Sequence, residues 1–181
     1  MNINVDAFYF INGGLSNPLF DAIMPPLSNC GGLVSLAILC LIALVVTRLN
    51  VFNLGKYHKL VKYCIASLLL CVGITAVLKY FVSLPRPSLV LEHVNTLTSS
   101  VDPYSFPSGH TACSLSVVSV LIIKAKEYFK HYKPIICLLV VFCLVIAFSR
   151  IYIGMHFPLD VIVGGLIGVM SGILVTRFLK I

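Results

Sequence analysis

The sequence predicts an all-α integral membrane helical bundle of about five transmembrane helices, preceded by an N-terminal interfacial helical segment. Three observations carry this. Hydrophobic residues make up 59% of the 181, with a mean hydropathy of +1.04, well above a soluble domain of this length. Thirteen basic and six acidic side chains are too few to coat a globule of this size. The apolar residues gather in runs close to the roughly 20 residues that cross a hydrocarbon core. The net charge of +7 is therefore read as membrane topology, and nucleic acid is not an expected partner. The chain reads as one domain over 1–181, with an interfacial segment at 1–26 and a transmembrane bundle at 27–181.

The elements follow in order. Residues 5–24, VDAFYFINGGLSNPLFDAIM, mix aromatic and apolar positions with Gly13, Gly14 and Pro18, so the stretch is too broken to span. A helical pair lying along the membrane surface is expected, an anchor without chemistry. The first 25 residues carry no Lys or Arg and no uninterrupted apolar core, so no removable signal peptide is expected. Spans are placed at 27–47, 63–81, 108–125, 135–154 and 158–178. The third is the shortest and most polar, with Ser114, Ser116 and Ser119, a profile that suits a helix packed among other helices. On the fifth, Gly164, Gly168 and Gly172 recur every fourth residue and give one smooth side for close packing within the chain, although the pattern also permits dimerisation. The seven cysteines form no CxxC pair and are odd in number. They read as small membrane-helix hydrophobes, and neither a metal nor another cofactor is expected.

Orientation follows from the basic residues. Arg48, Lys56, Lys59 and Lys62 flank the first two spans, Lys124, Lys126, Lys130 and Lys133 lie between the third and fourth, and Arg177 and Lys180 close the chain. With five spans these groups share one side, which the positive-inside rule makes cytoplasmic. The N-terminus, the loop 82–107 and the turn near Met155 are then outside, and the C-terminus is inside. Lys79, Arg86 and Arg150 remain off the cytoplasmic side, where ionisable residues at membrane depth call for a function and a partner.

Those three cations belong to three stretches on one predicted face: KYFVSLPRP (79–87), FPSGHT (106–111) and SRIYIGMHFPLD (149–160). Three cations without a comparable anion nearby imply an anionic ligand, and guanidinium groups bind phosphate bidentately. In PSGH, Ser108 is a good N-cap and Gly109 lets an anion approach the free N–H groups of the first turn. Pro158 is expected to start a helix that carries Asp160 in its first turn, close under His156. A carboxylate on one imidazole nitrogen fixes the tautomer and leaves the other as a nucleophile. His110, on another helix, is free to donate a proton to a leaving oxygen. The set supports displacement at phosphorus in two steps through a phosphohistidine, with the cations stabilising the equatorial oxygens.

The three stretches resemble, in order and spacing, the signature of the type 2 phosphatidic acid phosphatase superfamily, which also contains the vanadium haloperoxidases: K-x6-R-P, then P-S-G-H, then S-R-x5-H-x3-D. Lys79, Arg86 and Pro87 fit the first, Pro107 to His110 the second, and Ser149, Arg150, His156 and Asp160 the third. The resemblance implies a metal-free helical-bundle phosphatase with His156 as nucleophile, Asp160 as its partner and His110 as general acid. It implies Lys79, Arg86, Ser108, Gly109 and Arg150 as phosphate-binding residues. The expected substrate is a lipid phosphate or diphosphate met in the bacterial inner membrane, on its extracytoplasmic face: undecaprenyl diphosphate, phosphatidylglycerol phosphate, phosphatidic acid or a lipid A phosphate. The sequence assigns no oligomeric state. A vanadate-dependent oxidase would reuse the same residues, although similar haloperoxidases are soluble and much larger. A lipid-phosphate or anion transporter would also want three cations at membrane depth, yet would not need the His156 and Asp160 pairing. His58, His93 and His131 are read as packed or hydrogen-bonded loop residues, and Glu92, His93 and Asp102 as solvated. Leu89, Val90 and Leu91 are candidates for a lipid-facing substrate entrance.

Overall fold

Serine-rich and glycine-rich helix faces, which bury little apolar surface, sit at the centre of this protein. The computed structural model describes residues 2–99 and 102–181. Its α-helices are α1 (Ile3–Asn12), α2 (Pro18–Cys30), α3 (Leu33–Arg48), α4 (His58–Val82), the short α5 (Pro87–Val90), α6 (Gly109–Tyr128), α7 (Tyr132–Tyr152) and α8 (Pro158–Phe178). Two 3₁₀ turns join α3 to α4. Among the described residues no strand forms. An isolated antiparallel bridge between Pro85 and Tyr104 pins the outer loop.

The central helix is α6, which packs most extensively on α8, then on α4 and α7. Ten of its 20 residues are buried, including Ser114, Ser116 and Ser119. Each of those hydroxyls donates to the carbonyl three residues back, at 3.1, 2.8 and 3.1 Å. Ser67 of α4 reaches across to the Ser116 carbonyl at 2.9 Å. The buried hydroxyls are thus satisfied, as burial requires, and a helix too polar to face lipid is surrounded by protein. The glycine stripe of α8 lies against α6. A methyl at Gly164, Gly168 or Gly172 would meet Ser108 O at 2.5 Å, Ala112 O at 2.4 Å or Ser119 Oγ at 1.9 Å. The stripe therefore serves packing within the chain.

Among the described residues three helices are long and apolar enough to cross a membrane unaided: α4 with its preceding turn, α7 and α8. The pair α2–α3 qualifies as one further span bent by 50°. The N-terminal boundary is consequently corrected. The predicted division at 26/27 falls inside α2, which runs unbroken to Cys30 despite Pro25 and Pro26, and the break comes at Gly31–Gly32. The segment is helical as expected, and it is tied firmly to the rest. Buried Asn12 donates to Tyr152 O at 2.7 Å and to Asn95 O at 2.8 Å, while Tyr152 Oη donates to Asp21 at 2.6 Å. Phe8 packs with Ile151 and Val161, and Met24 with Tyr152, Ile153 and Met155. The outer faces of α3, α4, α7 and α8 present Val34, Leu69, Leu138 and Leu166 without partners in the chain, as a bilayer-embedded protein does. Of the proposed entrance residues, Leu89 and Val90 are exposed, whereas Leu91 packs into the Phe8 cluster.

Candidate active site

The predicted site residues stand at the C-terminal ends of α4 and α7, the N-terminal ends of α6 and α8, and the connections between them. Lys79 lies in the last turn of α4, Arg86 just before α5, Ser108 at the N-cap of α6 with Gly109 and His110 in its first turn, and Arg150 in the last turn of α7. His156 occupies the tight α7–α8 connection, where Gly154 has φ +79°, a value that favours glycine. The His156 and Met155 N–H groups both donate to Arg150 O at 3.2 Å, so the turn itself places arginine beside histidine. Pro158 begins α8 and Asp160 sits in its first turn, as the spacing predicts.

Lys79, Arg86, Gly109, His110, Arg150 and His156 line one cavity of about 370 Å³, together with Asn29, Asp102 and Cys113. Ser108 and Asp160 lie buried behind it, joined by Ser108 N–H donating to Asp160 O at 3.0 Å. Ser108 occupies the expected N-cap, but its hydroxyl pairs with Thr111 Oγ1 at 3.1 Å instead of capping the backbone. A methyl at Gly109 would meet nothing within 4 Å, so this backbone faces open cavity.

His156 is only 2% exposed. Its Nε2 lies 3.4 Å from Arg86 Nη1, and its Nδ1 lies 3.7 Å from Asp160 Oδ2, outside hydrogen-bond range and without another partner. That carboxylate oxygen accepts instead from Phe157 N–H at 2.8 Å, closing the N-terminus of α8. Burial first, and then the charges of Arg150, Arg86 and Lys79, push the imidazole well below its ordinary pKa, so it is neutral at pH 7. Arg150 is 5% exposed, donates from Nη1 to Ser28 Oγ at 2.7 Å, and keeps a buried Nε with no partner. His110 borders a second hollow under the α2–α3 bend, where a methyl on Gly32 would come within 2.9 Å of its Nε2.

Two neighbours were not predicted. Asp102, expected to be solvated, ion-pairs with Lys79 and lies 3.6 Å from Arg86 Nη2, so the cations do have an anion close by. Arg86 Nε also donates to the Asp102 carbonyl at 2.7 Å. Burial opposes ionisation of Asp102, yet the hydrogen bond from Lys79, with Tyr104 N–H and the charges of Lys79 and Arg86, holds it below the usual carboxylate range. The other neighbour is Ser28, fully buried on α2 and placed by the sequence at the start of the first predicted span. Its partner lies 122 residues away, beyond any local spacing signal. Of the other histidines, His58 opens α4 instead of lying in a loop, and its Nδ1 has the expected hydrogen-bond partner, Thr47 Oγ1 at 3.1 Å. Chemically the site offers an anion pocket around one neutral imidazole, with a second imidazole facing it across the cavity.

Comparison with known proteins matches the PAP2 superfamily to residues 60–180. The chain is 28% identical over 174 residues to the bacitracin transport permease protein BcrC of Bacillus licheniformis, covering 96% of this chain and 79% of that one. It is 34% identical over 117 residues to the undecaprenyl-diphosphatase BcrC of Bacillus subtilis strain 168, covering 60% of this chain and 56% of that one. The crystal structure of Aquifex aeolicus LpxE superposes with a TM-score of 0.79 at 32% identity, covering 98% of this chain and 97% of that chain. The matched family region contains all eight predicted site residues and stops short of Ser28.

Proposed function

The chain belongs to the PAP2 superfamily, and on that premise we propose how it acts: as a single-domain phosphatase that forms a phosphohistidine on His156. Membership together with relatives named as lipid diphosphatases and phosphatases makes it a hydrolase of phosphoric ester bonds in membrane lipids. The observation that carries the mechanism is the buried His156, with Nε2 turned to Arg86 and the cavity and Nδ1 turned to Asp160.

The phosphoryl oxygens are held by Lys79, Arg86, Arg150 and the Gly109 backbone at the start of α6, with Ser108 fixing that turn. Neutral His156 attacks phosphorus through Nε2 as the bond to the leaving oxygen breaks, and His110 delivers the proton that oxygen takes up. Asp160, 3.7 Å from Nδ1, is the carboxylate that accepts a hydrogen bond from Nδ1–H once substrate binding closes that gap, which keeps the lone pair on Nε2. Water then attacks the phosphohistidine, His110 recovers a proton from it, and inorganic phosphate departs. No step requires a metal or other cofactor. The substrate is a lipid phosphomonoester or diphosphate presented at the extracytoplasmic surface of a bacterial inner membrane, with polyprenyl diphosphate or a lipid A phosphate favoured. One relative bears a transport name, and a carrier would bind the same anion without consuming it.

The test is phosphate release by purified protein in mixed micelles from undecaprenyl diphosphate, phosphatidylglycerol phosphate, phosphatidic acid and lipid A. Continuous release from at least one of them in excess EDTA is expected. A strict divalent-cation requirement would sink the metal-free mechanism, and tight binding without release would favour the carrier. A reporter fused to the C-terminus is expected to read as cytoplasmic, and an external signal would overturn the orientation.

A further inference from the structure

We propose that Ser28, on the α2–α3 elbow outside the matched family region, is a positioning residue that aims Arg150 at the phosphoryl group. The inference rests on the phosphate-binding reading of Arg150. Arg150 is the most deeply buried cation of the site, and among the described residues no carboxylate pairs with it. A guanidinium on a flexible stem in such a place needs an acceptor to define its rotation. Ser28 Oγ supplies one at 2.7 Å to Nη1. With Nη1 held, the plane of the group is set before substrate arrives, and its remaining N–H donors, among them the buried Nε that has no protein partner, stay available to ligand oxygens.

The elbow is built to hold the serine there. The α2 helix is packed against α7, the helix that carries Arg150. Met24, one helical turn before Ser28, lies in the cluster with Tyr152 and Met155 on either side of the catalytic turn. A methyl on Gly31 would meet Ile146 of α7 at 2.5 Å, so the elbow sits flush on the same helix. Gly32 meanwhile backs His110. The elbow thus touches the anion clamp on one side and the proposed acid on the other, and Asn29 between them lines the cavity.

The experiment compares wild type with S28A, the nearly isosteric S28C, and S28T, which keeps the hydroxyl. The readouts are kcat and KM on the best lipid phosphate, and binding of vanadate, a mimic of five-coordinate phosphorus, followed by inhibition and thermal stabilisation. Loss of one hydrogen bond to a charged group corresponds to about a tenfold effect. S28A and S28C are therefore expected to lose about tenfold in kcat/KM, mostly in kcat, and to weaken vanadate binding by the same factor, with recovery in S28T. A merely structural serine predicts lower thermal stability with unchanged vanadate affinity in the folded protein. Wild-type kcat and vanadate affinity in S28C would overturn the proposal, even if S28A fails to fold. Should no lipid release phosphate, vanadate stabilisation of wild type and S28C still decides the role of Ser28, separately from the reaction.

Discussion

Replacing His156 with alanine abolishes phosphate release, by at least about three orders of magnitude, because a two-step displacement has no route without the group that carries the phosphoryl intermediate. Nothing else in the cavity substitutes for it. Lys79 is held by Asp102 and Arg150 by Ser28, and His110, which also lines the cavity, is the residue proposed to protonate the leaving oxygen. A rapid quench with radiolabelled lipid phosphate is expected to trap a phosphoprotein in wild type and none in H156A. Near-wild-type release by H156A would refute the nucleophile assignment. The pH profile of kcat/KM, which reports the free enzyme, carries a second signature. Burial and three cations lower the pKa of His156, so its neutral, attacking form persists as pH falls. The acid limb due to this residue therefore lies below the value near 6.5 of an unperturbed histidine.

The chemistry was legible in the sequence because it depends on residue type at short spacing. Arg150, His156 and Asp160 fall within eleven residues, and a turn followed by Pro158 is enough to bring them together. The third span announced its burial through its serines and the fifth its close packing through its glycines, but that the two pack on each other shows only in the fold. The missed residues depend on tertiary closure. Asp102 looked like an ordinary loop acid until the Pro85–Tyr104 bridge folded its loop back over Lys79. Ser28 sits at the start of the first predicted span, in PPLSN, with no charged or histidine neighbour to mark it. Only the docking of α2 on α7 converts it into an acceptor for a cation 122 residues away. The sequence starts the first span at residue 27, whereas α2 continues to Cys30 and the chain bends at Gly31–Gly32.

A single methyl at Gly164 is expected to lower kcat/KM by about a hundredfold, although this residue touches neither substrate nor any proposed catalytic side chain. The added carbon of G164A would lie 2.5 Å from Ser108 O and 3.2 Å from Ser108 N. Those are backbone atoms, which cannot rotate away as a side chain does, so α6 and α8 must separate at their outer end. The first bond to suffer is Ser108 N–H to Asp160 O, the link that fixes the start of α6 relative to the carboxylate behind His156. Gly109 and His110 follow Ser108 directly, and a displacement of about 1 Å is enough to lose about two orders of magnitude in an oriented reaction. Overpacking of this kind also costs about 1–3 kcal/mol of stability, so melting curves must accompany the kinetics. G109A provides the contrast. Its methyl enters open cavity, leaves the fold unstrained, and competes only with the anion, so it is expected to melt like wild type while binding vanadate less well. Wild-type turnover in a folded G164A protein would mean that the α6–α8 seam does not set the site. The expected pair of outcomes instead makes the glycine stripe part of the active site's geometry, with the tightness of one helix contact fixing where the acid and the anion pocket meet.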